Sequence, residues 1–138
     1  MDGRVRTVLC IDDDPELLAI HQMVLESTGY AVLAASNARA GLELFASHRA
    51  DAVLLDYGMP EMNGGEVAMV MKAMKPDIPV VMLSALLSLP KDAGSVDVFV
   101  TKGQSPEIWL YVLAAVIENR SPCPLDSGLS PFPAPTAA

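Results

Sequence analysis

The sequence predicts one α/β domain built on a five-stranded parallel sheet with helices on both faces. Three observations carry this. Five short runs are almost wholly apolar, as strands covered on both faces must be. Between them lie stretches with helical periodicity and helix-start signals. The 138 residues, 51% hydrophobic and 19% charged, suit a single hydrophobic core. Strand–helix–strand alternation implies crossover connections, which make neighbouring strands parallel.

The elements follow in order. VRTVLCI, residues 5–11, reads as the first strand. Asp14 then offers an N-cap carboxylate and Pro15 the first helical position. Leu17, His21, Val24, Leu25 and Thr28 share one face of that helix, and Gly29 is its stop. YAVLAA, 30–35, is the second strand. Asn37 caps a helix whose inner face carries Leu42 and Phe45. AVLLD, 52–56, is a very apolar third strand. After the loop YGMPEMNG, a helix over 65–74 stacks Val67, Val70, Met71 and Met74, and Pro76 and Pro79 end it. VVML, 80–83, and DVFV, 97–100, are the fourth and fifth strands. Ser105 and Pro106 open a last helix that runs to about 119.

Charge and composition exclude several roles. Nine basic residues against seventeen acidic ones give a net charge of −8, and the basic residues are scattered. A nucleic-acid surface needs them clustered. No apolar run approaches the ~20 residues of a membrane span. MDGRVRT lacks the apolar stretch of a secretory signal. Cys10 falls in a strand and Cys123 in the tail, a poor arrangement for a disulfide. The expectation is a cytoplasmic protein with free thiols that binds neither nucleic acid nor membrane. Residues 121–138, SPCPLDSGLSPFPAPTAA, hold five of the eleven prolines and one charge. They read as a disordered tail or linker, which leaves 1–120 as the folded domain.

In a parallel sheet all carboxyl ends lie along one edge, where ligands bind. The first strand ends in Asp12 and Asp13, the third in Asp56, the fourth in Ser84 and the fifth in Lys102. The second ends in Ala35 and Ser36, with nothing reactive. This distribution fits strand order 2-1-3-4-5, with the second strand a remote edge and the third central. The run Asp12, Asp13, Asp14 poses an electrostatic problem, since two like charges about 4 Å apart repel by roughly 4 kcal/mol at an effective dielectric near 20. The blander residues read as packing. His21 is a packed, hydrogen-bonded histidine, Cys10 a small core residue turned away from the acidic edge, and most of Met59, Met62, Met69, Met71 and Met74 pack core and loop.

The ordered set IDD (11–13), LLDYGMPEMNG (54–64), VVMLSA (80–85) and FVTKG (99–103) resembles the receiver domain of bacterial response regulators, over residues 5 to about 120. The resemblance implies a flavodoxin-like, doubly wound fold of the chemotaxis type. It implies that Asp56 is the phosphoacceptor, taking a phosphoryl group from a sensor histidine kinase or phosphotransfer protein. Asp12 and Asp13 would hold magnesium, Asp13 directly and Asp12 mostly through water, with Asp56 and the backbone carbonyl of Gly58 completing the protein ligands. Ser84 would be the switch hydroxyl, Lys102 the phosphate contact and Phe99 the aromatic switch residue. Such a protein promotes its own phosphorylation and dephosphorylation as a signalling switch for a downstream protein target, without being a turnover enzyme.

The residue types suit that chemistry independently. A carboxylate attacks a phosphoryl dianion poorly because the charges repel, so transfer needs in-line positioning and cations on the equatorial oxygens. Magnesium prefers hard oxygen ligands, and Lys102 supplies a point charge. Asp14 need not join them, since it can cap the helix starting at Pro15.

Three departures from the family pattern motivate an alternative, a degenerate receiver acting as a phosphorylation-independent binding module. Gly103 follows Lys102 where Pro is usual, Gly58 puts no side chain two residues after Asp56, and the segment between Ser84 and Lys102 is short. That segment carries Pro90 and Gly94, so the family's fourth helix is expected to be short or absent. A further alternative is a haloacid-dehalogenase-type phosphatase with Asp12 as nucleophile and Asp14 as acid/base, but no late acidic pair follows for its metal.

Overall fold

The computed structural model describes residues 5–84, 94–102 and 105–120. They form β1 (Thr7–Ile11), α1 (Pro15–Ser27), β2 (Ala31–Ala35), α2 (Ala38–Ser47), β3 (Ala52–Asp56), α3 (Gly64–Met74), β4 (Val80–Ser84), β5 (Val98–Thr101) and α4 (Pro106–Arg120). The five strands make one sheet in the order β2-β1-β3-β4-β5, parallel at every pairing. This is the expected flavodoxin-like topology.

Alternation along the strands divides the core in two. Leu9, Ile11, Val53 and Leu55 face α2 and α3, where they meet Phe45, Val67 and Met71. Val8, Cys10, Leu54 and Leu83 face α1 and α4, where they meet Leu25, Trp109 and Leu113. All five residues of β3 are buried, as a central strand requires. Each fully buried Leu, Val or Phe contributes about 1.5–3 kcal/mol.

Where boundaries and faces depart from expectation, polar partners or local geometry explain them. β1 begins at Thr7, because Val5 is 59% exposed and Arg6 turns its guanidinium to within 3.8 Å of buried Asp51. β5 begins one residue late because Asp97 is used as a lock. Its Oδ2 accepts from the Val80 amide and from Lys72 Nζ, each at 2.7 Å. The buried stripe of α3 is Gly64, Gly65, Val67, Ala68 and Met71. Val70 lies off that stripe and Met74 on the last helical position, and both are exposed, as is Met69. Met59 and Met71 are the methionines of that group that are buried. Thr28 lies outside the inner face of α1, its hydroxyl donating to Val24 O and Leu25 O at the helix end. Gly29 supplies the stop through its positive φ of 100°. The expected loss of a helix after β4, the Lys-Gly step at Gly103 and the tail from 121 fall largely or wholly outside the described residues.

His21 packs as expected. It is 8% exposed, and its ring stands edge-on to Trp109 of α4, with centroids 5.2 Å apart and planes at 74°. Its Nδ1 lies 4.0 Å from Cys10 Sγ. Burial, aided by the charge of Asp12, pushes the Cys10 thiol up to about 12. Cys10 therefore stays S–H, a weakly polar neighbour for the imidazole. Burial also lowers the His21 pKa, and the opposing attractions of Asp12 and Asp56 do not restore it, while Lys102 adds to the lowering.

A histidine pKa depressed by folding means the unfolded chain binds more protons below about 6.5, so the associated stability is present above that pH and is lost as pH falls. Urea unfolding from neutrality down to about pH 5 should therefore show a larger loss in wild type than in His21→Phe. Equal losses in the two proteins would contradict this account of the buried ring.

Candidate functional site

The three consecutive aspartates after β1 are separated by backbone geometry into three positions. Asp12 is 1% exposed, and its Oδ1 accepts from the Asp14 amide at 2.9 Å, an Asx turn that points the carboxylate inward. Asp13 is exposed at the sheet edge. Asp14 turns back to α1, where its Oδ1 accepts from the amides of Glu16 (3.0 Å) and Leu17 (3.4 Å). Its carboxylate is thereby an N-cap rather than the acid/base of a phosphatase.

Asp56, 4% exposed, ends β3. The chain beyond it is held by Tyr57 N to Leu83 O at 3.0 Å and Gly64 N to Tyr57 O at 2.8 Å. Gly64 permits this return. A Cβ there would lie 2.8 Å from both Asp56 O and Tyr57 Cα, closer than such atoms approach. Asn63 and Glu66 form a reciprocal capping box that fixes the start of α3 at the same point. A Cβ on Gly58, by contrast, would meet nothing within 4 Å.

β4 and β5 deliver the remaining groups. Ser84, 2% exposed, pairs in register with Thr101, and the Lys102 amide donates to Ser84 O at 2.6 Å. Lys102 Nζ then lies 2.8 Å from Asp56 Oδ1 and 3.6 Å from Asp12 Oδ2. Burial would lower the Lys102 pKa, but hydrogen bonding and charge from Asp56, seconded by Asp12, outweigh it and raise the pKa. Phe99 is half-buried on β5 opposite Met82, on the sheet face away from Val98 and Val100.

Carboxylate oxygens of Asp12, Asp13 and Asp56 all lie within 4.8 Å of one another. Asp12 Oδ2 is buried and has no hydrogen-bond partner among the described residues. One ammonium against three carboxylates leaves negative charge unbalanced. An all-oxygen donor set with a buried carboxylate oxygen that accepts no hydrogen bond among the described residues fits a hard divalent cation. The structure thus gathers Asp12, Asp13, Asp56, Ser84 and Lys102 along one edge and places Phe99 further back along β5. Gly64 is a site-shaping residue that residue-type reasoning does not flag. Its role is steric and emerges only when α3 is seen against the backbone of β3.

The response regulator receiver domain model matches residues 8–102. Among curated relatives, the probable transcriptional regulatory protein TcrX of Mycobacterium tuberculosis is 29% identical over 131 residues, covering 92% of this chain and 56% of that protein. The chain thus spans about half the length of that relative. A receiver domain from Methanospirillum hungatei superposes with a TM-score of 0.80 at 23% identity, covering 85% of this chain and 97% of that one. The response regulator TrrA of Thermotoga maritima superposes with a TM-score of 0.74 at 27% identity, covering 80% of this chain and 98% of that one. Motif, topology and family match agree, and the chain belongs to the response regulator receiver domain family.

Proposed function

We propose that Asp56 accepts a phosphoryl group from the phosphohistidine of a sensor kinase or phosphotransfer protein, and that the phosphorylated domain then changes its binding to a downstream protein. The observation that carries this reading is the 2.8 Å contact of Lys102 Nζ with Asp56 Oδ1, made inside a cluster of three carboxylates. In the transfer an Asp56 oxygen forms the new P–O bond as the donor's P–N bond breaks, and the electron pair of that bond stays with the donor imidazole. Lys102 meets charge on the equatorial phosphoryl oxygens, and Ser84 donates its hydroxyl to one of them.

Magnesium suits this oxygen set and, when bound, supplies the charge neutralisation that one lysine cannot. Asp12, Asp13 and Asp56 would hold it, with the Gly58 backbone carbonyl as a further protein donor. The Thermotoga maritima relative was solved in complex with Mg2+–BeF, which supports a site of this kind here. Phe99 and Ser84 then carry the switch as a population shift. Moving an equilibrium from 1:99 to 99:1 takes about 5.5 kcal/mol, and one hydrogen bond to a charged acceptor supplies roughly 1.5–3 kcal/mol. Ser84 alone therefore gives a partial shift.

Intact mass after treatment with acetyl phosphate and magnesium tests the acceptor. Wild type should gain one phosphoryl group and Asp56→Asn none. Labelling of the Asn variant would remove Asp56 from the role, and no labelling of wild type would favour the binding-module alternative. Asp13 has its own test, since deleting one of several clustered carboxylates relieves repulsion. Asp13→Ala should melt at or above the wild-type temperature without metal and lose the stabilisation that magnesium gives wild type. An undiminished magnesium response would exclude Asp13 as a ligand.

A further inference from the structure

The helical spacing of α3 marks Val70 and Met74 as buried, yet they are 36% and 40% exposed. Lys72 of the same helix reaches Asp97 beside β5. Val70 and Met74 each lie about 200° from Lys72 round the helix, so they face the other way, towards α2. With Glu66 they make one row along α3 at i, i+4 and i+8. On the facing helix, α2, Leu42 and Ala46 stand one turn apart. Between the two helices lies an open groove of about 560 Å3, lined by Leu42, Ala46, Met62 and Glu66 among others.

Leu42 and Met62 are half-buried against the core and make the floor. At the far end Lys75 ties α3 to the end of α2, its Nζ donating to Phe45 O at 2.7 Å and His48 O at 3.2 Å. The other end carries charge. Arg39, Glu43, Glu61 and Glu66 rim it, and all four are exposed. Arg39 pairs with Glu43 at 3.5 Å, and Glu66 accepts from the Asn63 amide at 3.0 Å. One arginine against three glutamates leaves the rim negative. Past Arg39 and Glu61 the groove adjoins a cavity of about 350 Å3 that reaches Asp13, a further exposed carboxylate. An apolar floor under an acidic rim suits a segment with an apolar face and basic flanks.

We propose that this groove docks a basic amphipathic helix of a partner protein, its apolar face on Leu42, Met62, Val70 and Met74 and its Lys or Arg residues on Glu43, Glu61 and Glu66. From Ala38 to Ala46 the α2 wall is about 12 Å long, roughly two turns of a docked helix, which accommodates anchors at i, i+3 or i+4, and i+7. The thioethers of Met62 and Met74 adapt their shape to such anchors. Charge selects this occupant over two others. A second copy of the chain would set glutamates against glutamates in a face-to-face pair. Residues 121–138 carry one charge, the carboxylate of Asp126, which the rim repels.

The full chain, labelled with nitrogen-15, would be titrated with a synthetic peptide of about fourteen leucines and lysines whose leucines fall on one helical face. Saturable one-to-one binding is expected, with the amide shifts concentrated in 38–46 and 61–74. A leucine–glutamate peptide of the same pattern should bind at least about tenfold more weakly. Val70→Ser combined with Met74→Ser should weaken the leucine–lysine peptide about tenfold, the worth of one or two partly buried apolar side chains. Glu61→Lys should weaken it roughly fivefold, whereas Glu26→Lys, the same charge change on α1, should alter it less than about twofold. If the double serine variant does not fold, the comparison of Glu61→Lys with Glu26→Lys carries the test. No saturable binding, shifts centred on α1 and α4, equal binding of the glutamate peptide, or equal effects of Glu61→Lys and Glu26→Lys would overturn the proposal. Self-association of the free chain that the double serine variant abolishes would give the groove to a second copy and overturn it too.

Discussion

The contact between the Lys102 ammonium and the carboxylates of Asp56 and Asp12 is the interaction on which the site depends. It draws together the ends of β1, β3 and β5, three strands far apart in the chain. It also sets the charge state of the edge. Asp12 and Asp56 are both nearly inaccessible to water, and buried carboxylates persist only with partners. Lys102 provides one partner for two of them, with Asp13 at the rim and no ion pair for it among the described residues. Asp12 Oδ2 shows the shortage of positive charge most plainly, since it is buried, accepts no hydrogen bond among the described residues and reaches Lys102 Nζ only at 3.6 Å.

Everything else at the edge serves to place those groups. Because β3 is central, Asp56 lies between the acidic loop after β1 and the ends of β4 and β5. Backbone bonds lock the alignment on both sides, from Tyr57 N to Leu83 O and from Lys102 N to Ser84 O. Gly64 lets α3 begin directly beneath Asp56, and Asp14 spends its charge on the amides of α1. Neighbouring aspartates thus take unlike roles through local hydrogen bonding, so the repulsion of a triple-aspartate run is smaller than the sequence suggests.

Much of this was legible in the sequence because strand ends in a parallel sheet share an edge. Knowing that Asp12, Asp56, Ser84 and Lys102 follow apolar runs was enough to bring them together. The N-cap role of Asp14 was legible for the same local reason, a carboxylate directly before Pro15. What escaped was set by tertiary packing. Val70 and Met74 have the periodicity of buried residues, but the stripe that meets the sheet is centred on Gly64, Val67, Ala68 and Met71. Asp97 reads as part of a strand, but its side chain serves Val80 and Lys72 across the edge of β4. His21 was readable as core from its place on the apolar face of α1, whereas its edge-on contact with Trp109 depends on how α1 and α4 meet.

The central claim is that Lys102 is the resident counter-ion of a carboxylate edge whose oxygen donors suit a divalent cation. Thermal unfolding of Lys102→Met with and without magnesium tests it most directly. Without magnesium the variant should melt below wild type, because two buried carboxylates lose their shared partner. With magnesium it should recover more than wild type gains, because the cation no longer competes with an ammonium. A variant that melts like wild type and responds to magnesium no more strongly would contradict the account.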